Sequence, residues 1–220
     1  MRHEYPPTEA VLDLSGETSA FSGQLQNVYA YPGRPDLLIK VVRQNFAAER
    51  WKGWRGALKR RRRIGVLASA LRTVTEHLAL RNNGVFPKRH VQEFVGFVET
   101  SAGVGLVARA LRGRDGGYAP TLRSLIDAGC WGPELEARLD EFIDWMMTSP
   151  LVVGDLHAGN LVLAFDAEHG ERLVLIDGMG DKGFIPVNSL VPFFNRQHKR
   201  RRARRLRETI ARLAARAKAG

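Results

Sequence analysis

Apolar residues fall along the chain in two rhythms. In the first half, short runs dominate. Val28–Tyr31 alternates, Leu37–Val42 is continuous apart from Lys40 at its middle, and Val91–Thr100 and Gly105–Ala108 flank a turn at Ser101–Gly103. Runs of this length, bounded by punctuation such as Tyr31-Pro-Gly-Arg-Pro-Asp36, read as strands, with a weak extra strand at Ala10–Leu14. Between them, residues 45–82 read as a long basic helix. There Val66, Leu67, Ala70, Leu71, Val74 and Leu78 recur at three- and four-residue spacings, so one face is buried.

The helical rhythm governs the second half. Leu122–Ala128 is one helix, and Pro133–Met147 is another with Leu135, Leu139, Phe142, Ile143 and Met146 on one face. Two short apolar runs, Leu161–Phe165 and Leu173–Ile176, flank a polar loop containing Gly170 and predict a hairpin. Leu206, Ile210, Leu213 and Ala217 mark a final amphipathic helix with arginines outward. Gly113–Pro120 reads as a flexible linker between lobes. The fold class is therefore α+β: a sheet with a long basic helix over 1–112, a mostly helical part carrying the hairpin over 113–195, and a basic helix over 196–220.

Composition changes this picture in two places. At 220 residues and 44% hydrophobic, the chain can bury a sizeable core. A single cysteine, Cys130, rules out an internal disulfide framework and fits a reducing compartment. The first residues carry prolines and acids where a signal peptide needs an apolar core, and no apolar run approaches the roughly 20 residues of a membrane span. A cytoplasmic protein is expected. The net charge of +11 is uneven: Arg196–Gly220 holds eleven Lys or Arg against Glu208, a net of +10, which leaves +1 for everything before it. The tail and the cluster Lys59–Arg63 are candidate footprints for an acidic partner, nucleic acid or an anionic surface, or else solvated faces.

The candidate chemistry sits at the hairpin. Gly154-Asp-Leu-His-Ala-Gly-Asn160 precedes its first strand and Asp177-Gly178 follows its second. A hairpin brings its flanks together, so Asp155, Asn160 and Asp177 should meet at one end. Two carboxylates and an amide are all oxygen donors, which suits Mg²⁺ and a phosphate-bearing ligand. The bland alternative is turn capping by ordinary turn formers. Lys40, flanked by apolar residues, is costly to bury unless it is paired, on an open edge, or able to reach water.

This spacing resembles the catalytic segment of the protein-kinase-like superfamily, Asp-x4-Asn, hairpin, Asp-Phe-Gly, in the form used by aminoglycoside phosphotransferases. The resemblance implies a two-lobe fold with an antiparallel N-lobe sheet and a reduced, mostly helical C-lobe. It implies Asp155 as catalytic base, Asn160 and Asp177 as Mg²⁺ ligands, and Lys40 on the nucleotide phosphates. Glu76 would pair with Lys40, Glu49 being the alternative. Gly23 would lie in a degenerate phosphate-covering loop, and Ala108–Leu111 would be the adenine hinge. Departures are plain: Val153-Gly154-Asp155 replaces His-Arg-Asp, His157 stands where a lysine steadies the γ-phosphate, and Gly178-Met179 replaces Phe-Gly. Asp181 is either a further acidic ligand or a turn residue.

The runs VVGDLHAGNLVL, LVLIDGMGDKGFIPVNSL and GFVETSAGVGLV further resemble the YrbL family, small bacterial kinase-like proteins associated by name with the PhoP regulatory network. That resemblance implies a regulatory setting without naming a phosphate acceptor. Three readings stand: an ATP- and Mg²⁺-dependent phosphotransferase, a pseudokinase that binds nucleotide and acts through a partner, and a basic module for nucleic acid or an acidic partner.

Overall fold

The computed structural model describes residues 11–17, 19, 21–22, 26–43, 67–84, 89–181 and 191–219. The chain divides into two compact units, one formed by Met1–Ala68 with Phe94–Ala110 and one by Ser69–Glu93 with Leu111–Gly220. The expected boundary after residue 112 thus falls after Ala110, and the described end of the expected long helix groups with the second unit from Ser69 on, while residues 45–66 lie outside the described residues. Gly23, Glu49 and Lys59–Arg63 lie outside the described residues.

The first unit is a five-stranded antiparallel sheet among the described residues. Its strands are β1 (Phe21–Ser22), β2 (Gln26–Tyr31), β3 (Arg34–Val42), β4 (Phe94–Thr100) and β5 (Gly103–Arg109). Their spatial order is β1-β2-β3-β5-β4. The middle strand, β3, is buried from Leu37 to Val42, which explains a run that is apolar on both faces instead of alternating. Ile39 and Val41 join Leu14 in a small core with Leu12, Tyr29, Tyr31 and Val98 against it. Alternation puts Lys40 on the opposite face, between Val28 and Leu106 in register, and it is buried. The weak strand at Ala10–Leu14 reduces to Leu12, whose N–H donates to Glu99 O and whose carbonyl accepts from Ser101 N–H.

The second unit holds α1 (Ala68–Asn82), α2 (Leu122–Asp127), α3 (Pro133–Thr148), a 3₁₀ turn (Ala158–Asn160), the hairpin β6 (Leu161–Asp166) with β7 (Gly170–Leu175), and α4 (Pro192–Ala219). Local chemistry sets the helix ends. Thr121 Oγ1 accepts from Ser124 N–H at 3.0 Å to cap α2, and Pro133 opens α3 with Glu134 and Glu136 in its first turn. The stretch Gly113–Pro120, expected to be a flexible linker, is instead closed on itself. Gly113 N–H donates to Gly117 O, Asp115 accepts from Gly117 N–H, and the Arg112 guanidinium lies 4.4 Å over the Tyr118 ring. The run Val91–Thr100 is divided as well. Gln92 N–H donates to Leu175 O and Leu175 N–H to His90 O, so residues 90–92 extend the hairpin and only Phe94–Thr100 serves the first unit's sheet.

The core of this unit is built around Phe142, Leu139 and Met146 of α3, Leu122 and Ile126 of α2, and Leu161, Leu173 and Leu175 of the hairpin. The hairpin's other face, Val162, Ala164 and Val174, packs on Ala119 with Leu111 and Ile176. The final helix is not a detached tail: Ala203, Leu206, Ile210 and Ala214 enter the same core, and α4 packs against α2 and α3. Burying each Leu or Ile contributes roughly 1.5–3 kcal/mol, so a stripe of this kind is enough to dock the helix.

Leu206 is 2% exposed, and Leu206→Ala should therefore destabilise the protein by about 2–5 kcal/mol in urea unfolding. Arg205→Ala on the exposed face should leave the midpoint where it is. Equal effects from the two substitutions would contradict the docked helix.

Candidate functional site in the second unit

The hairpin register runs from Leu161 opposite Leu175 to Asp166 opposite Gly170. The flanks Val152–Asn160 and Ile176–Gly180 consequently leave side by side at the end away from the turn. They then zip together. Ile176 N–H donates to Asn160 O at 2.9 Å, Gly154 and Asp155 N–H both donate to Gly178 O at 2.8 Å, and Gly180 N–H donates to Val152 O at 2.8 Å. Asp155, Asn160 and Asp177 are brought into one network, as the spacing expects.

Gly178 makes the closure possible. Its φ is +82°, and a Cβ there would overlap the Asp155 carbonyl oxygen and stand 2.9 Å from Asn160 Nδ2. Only glycine fits both the left-handed backbone and the space. Asn160 Nδ2 donates to Asp155 O at 3.1 Å, so the amide oxygen is the end left to face a ligand. Asp177 Oδ1 accepts from its neighbour Gly178 N–H at 2.7 Å. His157 is exposed and its Nδ1 accepts from Gly159 N–H at 3.1 Å, capping the 3₁₀ turn that carries Asn160. In its neutral form the ring proton is therefore on Nε2.

Three further side chains meet this segment, Arg72 and Glu76 from α1 and Asp181 just beyond Gly180. Arg72 is partly buried, and burial lowers its guanidinium pKa while the Asp177 carboxylate opposes that shift. Its turn of α1 lies against Gly180, where a Cβ would come 3.0 Å from Arg72 Cβ. Glu76 is buried, and its Oε1 accepts from Val152 N–H at 2.6 Å. Burial raises the Glu76 pKa, Val152 N–H and the Lys199 charge oppose this, and the Asp181 charge adds to it. These contacts of Glu76 all lie inside the second unit, whereas Lys40 belongs to the first.

The final helix, α4, grips the carbonyls that precede the site. Asn195 Nδ2 donates to Pro150 O at 3.3 Å and Leu151 O at 3.2 Å. His198 Nε2 stands 3.1 Å from Val153 O. Lys199, 2% exposed, donates to Met146 O at 2.8 Å and Ser149 O at 2.6 Å. A cation on the last carbonyls of α3 is favoured by the helix dipole as well as by hydrogen bonding. Burial lowers the Lys199 pKa to about 8, with Glu76 opposing.

Arg72, Asn195, His198 and Lys199 escape the sequence reading. A signal for Asn195 and Lys199 exists: extending the Leu206–Ile210 stripe back by three- and four-residue steps reaches Ala203, Lys199 and Asn195 on the buried face. The surrounding arginines hide it.

The sequence profile of the PhoP regulatory network protein YrbL matches residues 12–211. The chain belongs to this family. For this YrbL-family chain, a comparison with curated proteins found no match. Among solved structures it is similar to Rad53 1–466 in complex with AMP-PNP (TM-score 0.45, 15% identity, 73% of this chain and 37% of that one). It is also similar to the PknI kinase domain of Mycobacterium tuberculosis (TM-score 0.43, 17% identity, 80% and 62%). The chain thus spans 37% and 62% of the lengths of these two chains. No helix among the described residues is long and apolar enough to cross a membrane.

The grip on Met146–Ser149 has a pH signature. Between about 8 and the ordinary 10.5, the unfolded chain holds the Lys199 proton that the folded chain has lost, so stability rises with pH across that window. The penalty is fully present below about 8. Its size is on the order of 3 kcal/mol. Urea unfolding of wild type and Lys199→Met across this range should show the rise in wild type and a flatter dependence in the variant; parallel dependences would assign the effect elsewhere.

Proposed function

We propose that this YrbL-family chain is a kinase-like protein that binds ATP with Mg²⁺ and transfers phosphate to an acceptor hydroxyl. The observation that carries the reading is the closure around Gly178, which holds Asp155, Asn160 and Asp177 in one hydrogen-bonded network.

The donor set fits Mg²⁺. Asn160 offers an amide oxygen, and Asp177 offers a carboxylate with one oxygen already oriented by Gly178 N–H. Among the described residues no group of three or more His, Cys, Asp and Glu side chains could hold a metal. An ion held through one carboxylate and one amide together with phosphate oxygens is the usual arrangement for Mg²⁺. When bound, the ion would supply charge neutralisation at the transferring phosphoryl group.

The protein's own part is positioning. Asp155, anchored through its N–H and carbonyl, would orient the acceptor hydroxyl and accept its proton. His157 holds the turn that aims Asn160. Arg72 balances the charge of Asp177. Glu76 and Lys199 hold the backbone leading into Asp155, one on the Val152 N–H and the other on the Met146 and Ser149 carbonyls. The resemblance to kinase-like proteins implies a phosphate-ordering role for Lys40, which lies in the first unit. Because the catalysis asked for is orientation and charge compensation, the same geometry also serves a pseudokinase, and turnover separates the two.

ATP with Mg²⁺ should raise the thermal midpoint of wild type, by about 2.7 kcal/mol of stability at roughly 100 times Kd. Asp177→Ala and Asn160→Ala should lose the Mg²⁺-dependent part, and Asp155→Asn should keep binding while losing phosphate release or transfer. No shift at millimolar ATP, with or without Mg²⁺, would overturn the nucleotide reading.

A further inference from the structure

We propose that the outward face of α4, with the aromatic pair at its start, is an interfacial surface that seats the protein on anionic lipid. The buried side of this helix is fully employed by Asn195, Lys199, Ala203, Leu206, Ile210 and Ala214. The remaining circumference is exposed and strongly basic. Two of its arginines are paired with acids, Arg204 with Glu208 and Arg207 with Asp140, while Arg202 donates to His198 and Arg212 to Glu208 O and Thr209. Arg196, Arg200, Arg201, Arg205 and Arg216 have no acidic partner among the described residues.

These five cations are spread over about 30 Å of helix at 1.5 Å per residue. Arg196, Arg200, Arg201 and Arg205 follow one another within a Debye length of about 8 Å, so their fields add at physiological salt, and Arg216 stands apart near the helix end. The helix is already docked by its apolar stripe, so presenting them costs little further ordering. The charge alone would suit any polyanion.

The start of the helix narrows the choice. Phe193 is 64% exposed, Phe194 50% and Val191 37%, beside Arg196 and Arg200 on the next turns. Large apolar groups adjoining guanidinium groups match the boundary between anionic headgroups and acyl chains. A nucleic-acid backbone would satisfy the arginines and leave the phenylalanines in water. A single strand would want open ring faces for stacking, but Phe193 and Phe194 meet edge to face at 5.8 Å. The pair is shaped as a wedge.

The test uses the full chain in sedimentation with phosphatidylcholine vesicles, with and without phosphatidylglycerol. Wild type should bind the anionic vesicles, ignore the neutral ones, and release as salt is raised. Arg200→Gln with Arg201→Gln and Arg205→Gln should weaken binding on the order of a hundredfold. Phe193→Ser with Phe194→Ser, at unchanged charge, should weaken it on the order of tenfold or more. Circular dichroism of both variants should match wild type, since the replaced groups are exposed. Quenching of a Phe194→Trp variant by brominated acyl chains reports insertion independently of affinity. Wild type that ignores anionic vesicles, or binds a duplex or single-stranded oligonucleotide in preference to them, would overturn the proposal. So would serine variants that bind as well as wild type, or a tryptophan that the brominated chains do not quench.

Discussion

The segment Met146–Val153 is the point on which the second unit turns. It runs from the last turn of α3 into the site, and the backbone polar groups of its buried residues, Met146, Leu151, Val152 and Val153, have little water to turn to. Each such group must find a partner or cost about 1–3 kcal/mol. Two elements distant in sequence supply the partners. Glu76 of α1 takes Val152 N–H, and Asn195, His198 and Lys199 of α4 stand on the carbonyls of Met146, Ser149, Pro150, Leu151 and Val153. A buried Lys–Glu charge pair is worth little as a stabiliser by itself, because both ions give up hydration. Here the two ions are spent on backbone atoms, and their mutual attraction tempers the cost.

That grip explains why a helix with so much positive charge is docked by part of it. At its first turns α4 is a polar clamp, further along it is an apolar stripe in the common core, and outside it is a row of arginines. One sequence feature, a basic run, therefore does three physically different things. The site downstream benefits because Asp155 begins two residues after the clamped backbone, and its own N–H and carbonyl are taken by Gly178 O and Asn160 Nδ2. Side chains meant to orient a reacting group need such a frame more than they need flexibility.

Membership of the YrbL family accounts for most of the chain, and the hairpin network gives that membership a chemical proposal. An amide and a carboxylate oriented by backbone groups, beside an Asp155 whose own backbone is fixed, offer the oxygen donors that Mg²⁺ takes. The lipid surface proposed for α4 rests on different residues and stands or falls separately.

The sequence by itself determined the elements and the meeting of Asp155, Asn160 and Asp177. The reason is that both follow from short-range rules: strand and helix periodicity, turn residues, and the two-strand geometry that brings hairpin flanks together. It also marked Leu37–Val42 as a strand, and the structure added that Lys40 is buried with the rest. Only the tertiary structure decided that Val91–Gln92 pairs with β7 and Phe94–Thr100 with another sheet, since an apolar run carries no label for its partner. Only the tertiary structure placed Glu76 on Val152 N–H and turned Lys199 inward among arginines that point out. A lysine's sequence neighbourhood does not say which carbonyls lie 50 residues away, and that long-range contact is what makes burial of its charge tolerable.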